Sequence, residues 1–176
     1  MSHQIARDVM GLYVEEKEKL KAMFANSSQQ VCLTTDTWTS LQNINYMVLT
    51  AHYIDENWKL PKRILNFQSI SNHKGETIGK MIEACLISWG LERVFTITVD
   101  NASSNDVAIS FMKKKIRNWG KFVLDCDDLH IRCCTHILNL VVTQGLKDYD
   151  TSIQVIRNAI RYVRSSLLGC INLMNV

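Results

Sequence analysis

The chain has little of what breaks a fold into pieces: one proline and seven glycines in 176 residues. Long regular elements joined by few linkers follow from that scarcity. No apolar run reaches the roughly 18 residues that a membrane-spanning helix needs, so no membrane partner is expected. The opening residues, MSHQIARDVM, hold no apolar signal core and read as a mature or truncated start. The net charge of +3 is too small to demand a nucleic-acid partner, although it permits one. With 47% hydrophobic and 21% charged residues, the composition is that of a globular domain and excludes disorder throughout. Six cysteines are present, at 32, 85, 126, 133, 134 and 170. Cys32 and Cys85 fall inside apolar patterns, the signature of buried free thiols in a reducing compartment.

What is present is an ordered alternation of elements. Ile5, Val9, Leu12, Tyr13, Leu20 and Phe24 recur at helical spacing, and the polar stretch NSSQQ closes that helix. VCLTTDTWTS (31–40) is rich in β-branched residues and reads as a strand. INYMVLTAHYI (44–54) and WKLPKRILNFQSI (58–70) are two further strands joined by a short polar turn, hence an antiparallel hairpin. Pro61 lacks a ladder donor and sends the third strand to an edge. A helix over 75–89 presents Ile78, Met81, Ile82, Cys85, Leu86 and Trp89 on one stripe. RVFTITV (93–99) is the fourth strand, followed by a helix over 103–119 with Val107, Ala108, Phe111, Met112 and Trp119 inward and Lys113, Lys114, Lys115 and Arg117 on its exterior. LHIRC (129–133) is a short fifth strand, leading into a helix through Ile137, Leu138, Val141 and Val142. A last helix over 151–168 aligns Ile153, Ile156, Ile160, Val163 and Leu167.

A three-strand meander followed by right-handed βα crossovers builds a mixed five-stranded sheet with helices on both faces. The economical strand order is 3-2-1-4-5, which is the ribonuclease-H-like arrangement of an α/β fold. The expected organisation is a helical lead-in over 1–29, an incomplete ribonuclease-H-like core over 30–149, and a helical segment over 150–176. Strands 1, 4 and 5 run parallel in this order, so their C-terminal ends share one edge.

Three polar features fall on that edge: Asp36 toward the end of strand 1, Asp100 at the end of strand 4, and Cys133 to His136 after strand 5. Neighbouring strands lie about 4.8 Å apart, so the two carboxylates can reach one divalent ion. Hard oxygen ligands of this kind suit magnesium or manganese. A lone Asp after a strand is more often a helix cap than a ligand, and Asn101, Ser103 and Ser104 offer caps as well. Asp36, however, interrupts a β-branched strand at the expected centre of the sheet, where an unpaired charge is costly. With Ser103 or a neighbour capping the helix, Asp100 is left for the ion. Asp106 goes to the wet face, and Asp55, Asp125, Asp127 and Asp128 read as turn residues.

Cys126, His130, Cys133 and His136 could be imagined as a zinc quartet, but the spacing is unusual and the residues converge poorly, so zinc is not expected. A nucleophilic Cys–His pair lacks an orienting third group. Arg157, Arg161 and Arg164 recur at i, i+4 and i+7 and form a stripe suited to phosphates.

TTDTWTS, the hairpin around YIDENWKLPKRIL, VDNASSND and RCCTHILNLVV, together with the leading IARDVMGLYVEEKEKLK, resemble the hAT superfamily of cut-and-paste DNA transposases, in particular its plant RICESLEEPER-type members. The resemblance implies a core with an acidic triad binding two magnesium or manganese ions, in which Asp36 matches the first acid and Asp100 the second. It implies that Cys133 and His136 form the family's C-x-x-H, associated with handling the DNA end. The family's third acid, a glutamate, follows an inserted helical domain; Glu76 and Glu83 do not match it. A BED zinc finger and a dimerisation region are likewise unmatched. DNA as partner, a homodimer or higher oligomer, and the nucleus follow as expectations.

Two functions remain open on the sequence. The first is a transposase core that cuts and transfers DNA strands in the intact protein, with this segment inactive alone. The second is a domesticated nuclear protein that binds DNA and regulates transcription without catalysis.

Overall fold

The computed structural model describes residues 2–26, 29–120 and 124–165, and the chain divides into two compact units, Met1–Cys133 and Cys134–Val176. In the first unit, helix α1 spans Ser2–Asn26 and strands β1 (Val31–Thr39), β2 (Asn45–His52) and β3 (Lys62–Ile70) form the expected meander. Helix α2 (Gly75–Trp89), strand β4 (Val94–Val99), helix α3 (Ser103–Trp119) and strand β5 (His130–Arg132) complete it. The five strands lie in the order β3-β2-β1-β4-β5. β1 pairs antiparallel with β2 and parallel with β4, and β4 pairs parallel with β5. The ribonuclease-H-like topology read from the sequence is therefore the observed one, with β3 at an edge. Pro61 itself sits just before β3, where its carbonyl accepts the Tyr53 N–H at 3.4 Å.

The turn before β3 is built as its residues dictate. Asp55 Oδ1 accepts the N–H groups of Asn57 and Lys59, both at 2.9 Å. Asp125 and Asp127 likewise serve a turn, a 3₁₀ segment over Leu124–Leu129, where Arg117 donates to the Asp125 carbonyl from Nε and from a terminal nitrogen.

One face of the sheet is buried against α2 and α3. Leu33, Leu49, Ile97, Ile78, Ile82, Leu86 and Met112 are all essentially sealed from solvent. Cys85 is part of this core, and burial pushes its thiol up to about 11. Cys32 is only half-buried; both are free thiols.

The inward face of α3 differs from the expected one. Asn105, Ala108, Ile109, Met112 and Ile116 are buried, whereas Val107 is 54% exposed and Phe111 and Trp119 are only partly covered. The reason lies on α2, where glycines bring the helices close. A Cβ at Gly79 would lie 2.8 Å from the Phe111 ring, and one at Gly75 would lie 2.6 Å from Val107 Cβ. Val107 and Phe111 thus cover the glycine seam, and the neighbouring stripe faces the sheet.

Helix α1 also departs from its expected stripe. Leu20 and Phe24 pack on the core, and Phe24 meets Tyr53 edge-on at 5.1 Å, but Ile5, Val9, Leu12 and Tyr13 are exposed. A helix of 25 residues is about 37 Å long, and only its C-terminal turns lie against the sheet.

The second unit contains helix α4 (Cys134–Gly145) and helix α5 (Asp150–Ser165). None of the described residues of α4 is buried. On α5, Ile153 and Val163 are half-buried and Ile156 and Ile160 exposed; Leu167 and the end of the expected helix lie outside the described residues. Among the described residues no helix is long and apolar enough to cross a membrane.

Candidate functional site

The parallel register of β1 and β4 decides where the two acids stand. Leu33 pairs with Ile97 and Thr34 with Thr98. Asp36 lies two residues beyond Thr34, and Asp100 two residues beyond Thr98. The two acids thus follow the last β1–β4 pair at equal offsets, at one end of the sheet.

Asp36 is exposed, which corrects the expectation of a charge at the sheet centre. β1 is central, but its pairing with β4 ends at Thr34, and β1 continues to Thr39 beside β2 alone, with Asp36 opposite Val48. The acid stands on a projecting strand end, so water solvates it and no burial cost arises.

Asp100 is half-buried one residue past β4. Its Oδ1 accepts the Ala102 N–H at 2.9 Å and the side-chain amide of Asn105. The N-cap position of α3 is Ala102, which has no side chain to cap with. The expectation that Ser103 or a neighbour caps the helix and frees Asp100 is thereby corrected: Asp100 orders this turn itself with one oxygen. Asp36 similarly uses Oδ1, which accepts the Thr37 N–H at 2.9 Å. Among the described residues, Oδ2 of each acid takes part in no hydrogen bond. Carboxylate oxygens of this kind, each on an acid oriented by a bond to its twin, are the donors that a hard divalent cation such as magnesium or manganese takes.

Among the described residues, no three His, Cys, Asp or Glu side chains gather as a ligand group. Glu76 pairs with Lys80 at 2.7 Å and Glu83 with Lys115 at 2.9 Å. Cys133 follows β5 and extends its ladder, donating its N–H to the Val99 carbonyl at 2.8 Å, beside Asp100. His136 lies in the first turn of α4, in the second unit. Cys126 is buried in the 3₁₀ segment at a φ of 63°, and His130 opens β5. Arg157, Arg161 and Arg164 are all exposed along α5.

Two further groups at this edge escape a sequence reading. His73, in the loop before α2, meets Thr39 Oγ1 at 3.0 Å and Asn45 Oδ1 at 2.9 Å. Because Asn45 Oδ1 only accepts, His73 Nε2 carries the proton. Asn105 is the second: its amide reads as an ordinary polar residue of a helix start, yet it is 6% exposed and bonded to Asp100.

Two histidines elsewhere are shifted by their surroundings. Burial, reinforced by Lys62, lowers His52 below its ordinary value; its Nε2 lies 3.1 Å from Thr34 Oγ1. Burial likewise lowers His130, against the opposing pull of Asp106. A cavity of about 350 Å³ lined by Tyr13, Lys17, Leu20, Tyr53, Arg63 and Trp89 lies at the opposite end of the sheet from the acids.

Strand order and flanking helices define a ribonuclease-H-like domain. The family model of the ZBED1 RNase-like domain matches residues 34–128, and that of the ZBED1 RNase-like helical domain matches residues 131–172. The chain belongs to this family, and it is hAT-type and transposase-derived. It is 37% identical to a putative AC transposase of Zea mays over 94% of this chain and 21% of that protein. It is 31% identical to the zinc finger BED domain-containing protein RICESLEEPER 2 of Oryza sativa subsp. japonica, over 90% of this chain and 22% of that protein. The zinc finger BED domain-containing protein DAYSLEEPER of Arabidopsis thaliana is 32% identical over 58% of this chain and 15% of its own length. The chain thus spans about a fifth of the length of the first two of these curated relatives. No solved structure matches it.

Proposed function

We propose that this chain is the part of a hAT-type DNA transposase that supplies the first two metal-binding acids, Asp36 and Asp100, for phosphodiester cleavage and strand transfer. The observation that supports the reading is the β1–β4 register, in which Asp36 and Asp100 follow the last paired residues, Thr34 and Thr98, at equal offsets. Bound magnesium or manganese supplies Lewis acidity toward a phosphodiester and a more acidic water. Asp36 and Asp100 would hold such an ion. The Thr37 and Ala102 N–H groups and the Asn105 amide orient the two carboxylates through Oδ1. Cys133 and His136 serve the DNA end, and Arg157, Arg161 and Arg164 contact phosphates. DNA as substrate places the protein in the nucleus, with homo-oligomerisation as the state implied for the whole protein. This chain alone nicks no DNA, because Glu76 and Glu83 are tied to lysines and no third acid joins the pair among the described residues.

Titration calorimetry with manganese tests the ligand assignment. The expected result is measurable binding by the unaltered chain and its loss in both Asp36→Ala and Asp100→Ala. Equal binding in all three proteins removes the assignment. For the arginines, each Arg→Ala change is expected to lower the slope of log affinity against log salt by about 0.7–0.9.

A further inference from the structure

Trp38, Tyr46 and Phe67 come from three different strands and meet in one cluster. Their ring centroids form a near-equilateral triangle, 5.8 Å between Trp38 and Tyr46 and 5.6 Å for each of the other two pairs. The planes of Trp38 and Tyr46, and of Tyr46 and Phe67, are within 25° of parallel. Register places the cluster on the same face as Asp36. Asp36 pairs with Val48, Val48 with Phe67, and Trp38 with Tyr46; paired residues and residues two apart share a face. This is the face opposite the buried layer of Leu33, Met47 and Leu49.

The rings are not core. Phe67 is 59% exposed and Trp38 37% exposed, beside an acid on a strand tip. Trp38 is two residues from Asp36, about 7 Å along the strand. On the same face, β3 begins at exposed Lys62, paired with His52 at the far end of β2 from Tyr46. Along this face Trp38 and Tyr46 lie from Asp36 toward the end of β1, with Phe67 level with the acid, whereas Lys62 lies in the other direction, opposite His52.

We infer that the Trp38–Tyr46–Phe67 cluster is a stacking site for an unpaired base of DNA, next to the phosphate held at the acids. The inference rests on the proposed function, because it takes DNA as the molecule that reaches Asp36. Aromatic rings on neighbouring strands accept any base through its π face, without reading its edge. An apolar peptide would bury the same rings but gives no reason for their position beside an acid. A nucleotide strand uses both: its phosphate at the proposed metal-binding acids and its base on the rings.

The test is fluorescence anisotropy of the 176-residue chain with a labelled single-stranded oligonucleotide of about twelve thymidines, in manganese at low salt. A companion set carries one abasic position moved along the strand. At least one abasic position is expected to weaken binding about tenfold or more. Phe67→Leu is expected to weaken the intact oligonucleotide by a similar factor and to show no further loss with the abasic one. Trp38→Phe, which keeps a ring, is expected to retain binding where Trp38→Leu does not; circular dichroism confirms that each variant folds. Binding that ignores every abasic position overturns the stacking site and leaves the DNA reading standing. Equal further losses in variant and unaltered chain overturn it as well. Loss of self-association in Phe67→Leu on a sizing column, with oligonucleotide affinity unchanged, assigns the rings to a protein interface instead. If no oligonucleotide binds at all, the stacking site and the DNA reading fall together, while manganese calorimetry judges the acids independently.

Discussion

The buried side-chain amide of Asn105 donates to the carboxylate of Asp100, tying the first turn of α3 to the acid at the tip of β4. Asn105 is thus a positioning residue for Asp100. Replacing it with alanine removes a bond to a charged group, with an expected loss of about 1–2 kcal/mol in urea unfolding. Loss of such a supporting contact typically weakens metal binding about tenfold or more. Manganese calorimetry on Asn105→Ala separates the roles: lowered stability with unchanged affinity leaves Asn105 a structural residue only.

The seam between α2 and α3 is fixed by backbone approach. A Cβ at Gly75 would lie 2.1 Å from the Ser104 carbonyl oxygen, and backbone has little room to yield. Gly75→Ala is expected to destabilise the domain by about 3 kcal/mol, at the upper end of overpacking costs. Gly11, on the open part of α1, has nothing within 4 Å of an added Cβ. Gly11→Ala is expected to stabilise slightly, by up to about 1 kcal/mol. Urea midpoints of the two variants should move in opposite directions; a shared direction contradicts the seam.

Acid should weaken the fold through its histidines. Burial, first among the causes, lowers His52 and His130 below their ordinary value of 6.5. The folded state therefore holds both neutral at a pH where the unfolded chain begins to take protons. With more protons on the unfolded state, stability rises with pH. The contribution is whole above about 6.5 and is lost as pH falls through that value toward the lowered folded ones. Around His130 the Asp106 carboxylate, 3.9 Å from Nδ1, opposes the shift, while Arg132 and Lys113 add to it; around His52 the added cation is Lys62. Urea unfolding from pH 7.5 to 5 should show the decline, and His52→Gln and His130→Gln should each flatten it. Unchanged slopes in both variants refute the assignment.

The sheet order could be read from sequence because each strand carries its own signal: β-branched runs, a polar hairpin turn, a proline that refuses a central place. The position of Asp36 and Asp100 at one end of the sheet was legible for a related reason, since topology alone sends the C-terminal ends of β1 and β4 to one edge. Contacts that depend on rotation or register were not. Val107 and Ile109 are equally apolar, and only the glycines of α2 decide which faces the sheet. Trp38, Tyr46 and Phe67 are brought together by pairing across three strands, with a register shift between Leu49 and Thr50, and no local pattern records that shift. Asn105 and Ser103 look alike as helix-start residues, and the difference appears only when Asp100 turns back over the helix.

His73 links the ends of β1 and β2 to the loop before α2 through Thr39 and Asn45, and Asn72 fastens that loop to α2 by accepting the Lys74 N–H and the Thr77 hydroxyl, both at 2.9 Å. Segments that would otherwise fluctuate separately share one network of hydrogen bonds. Their conformational entropy is lost when the chain folds rather than when a ligand arrives, so under the proposed function an incoming strand would meet a surface already ordered on the β1–β2 side of the acids. Affinity there is set by contacts made, not by loops that must first be stilled.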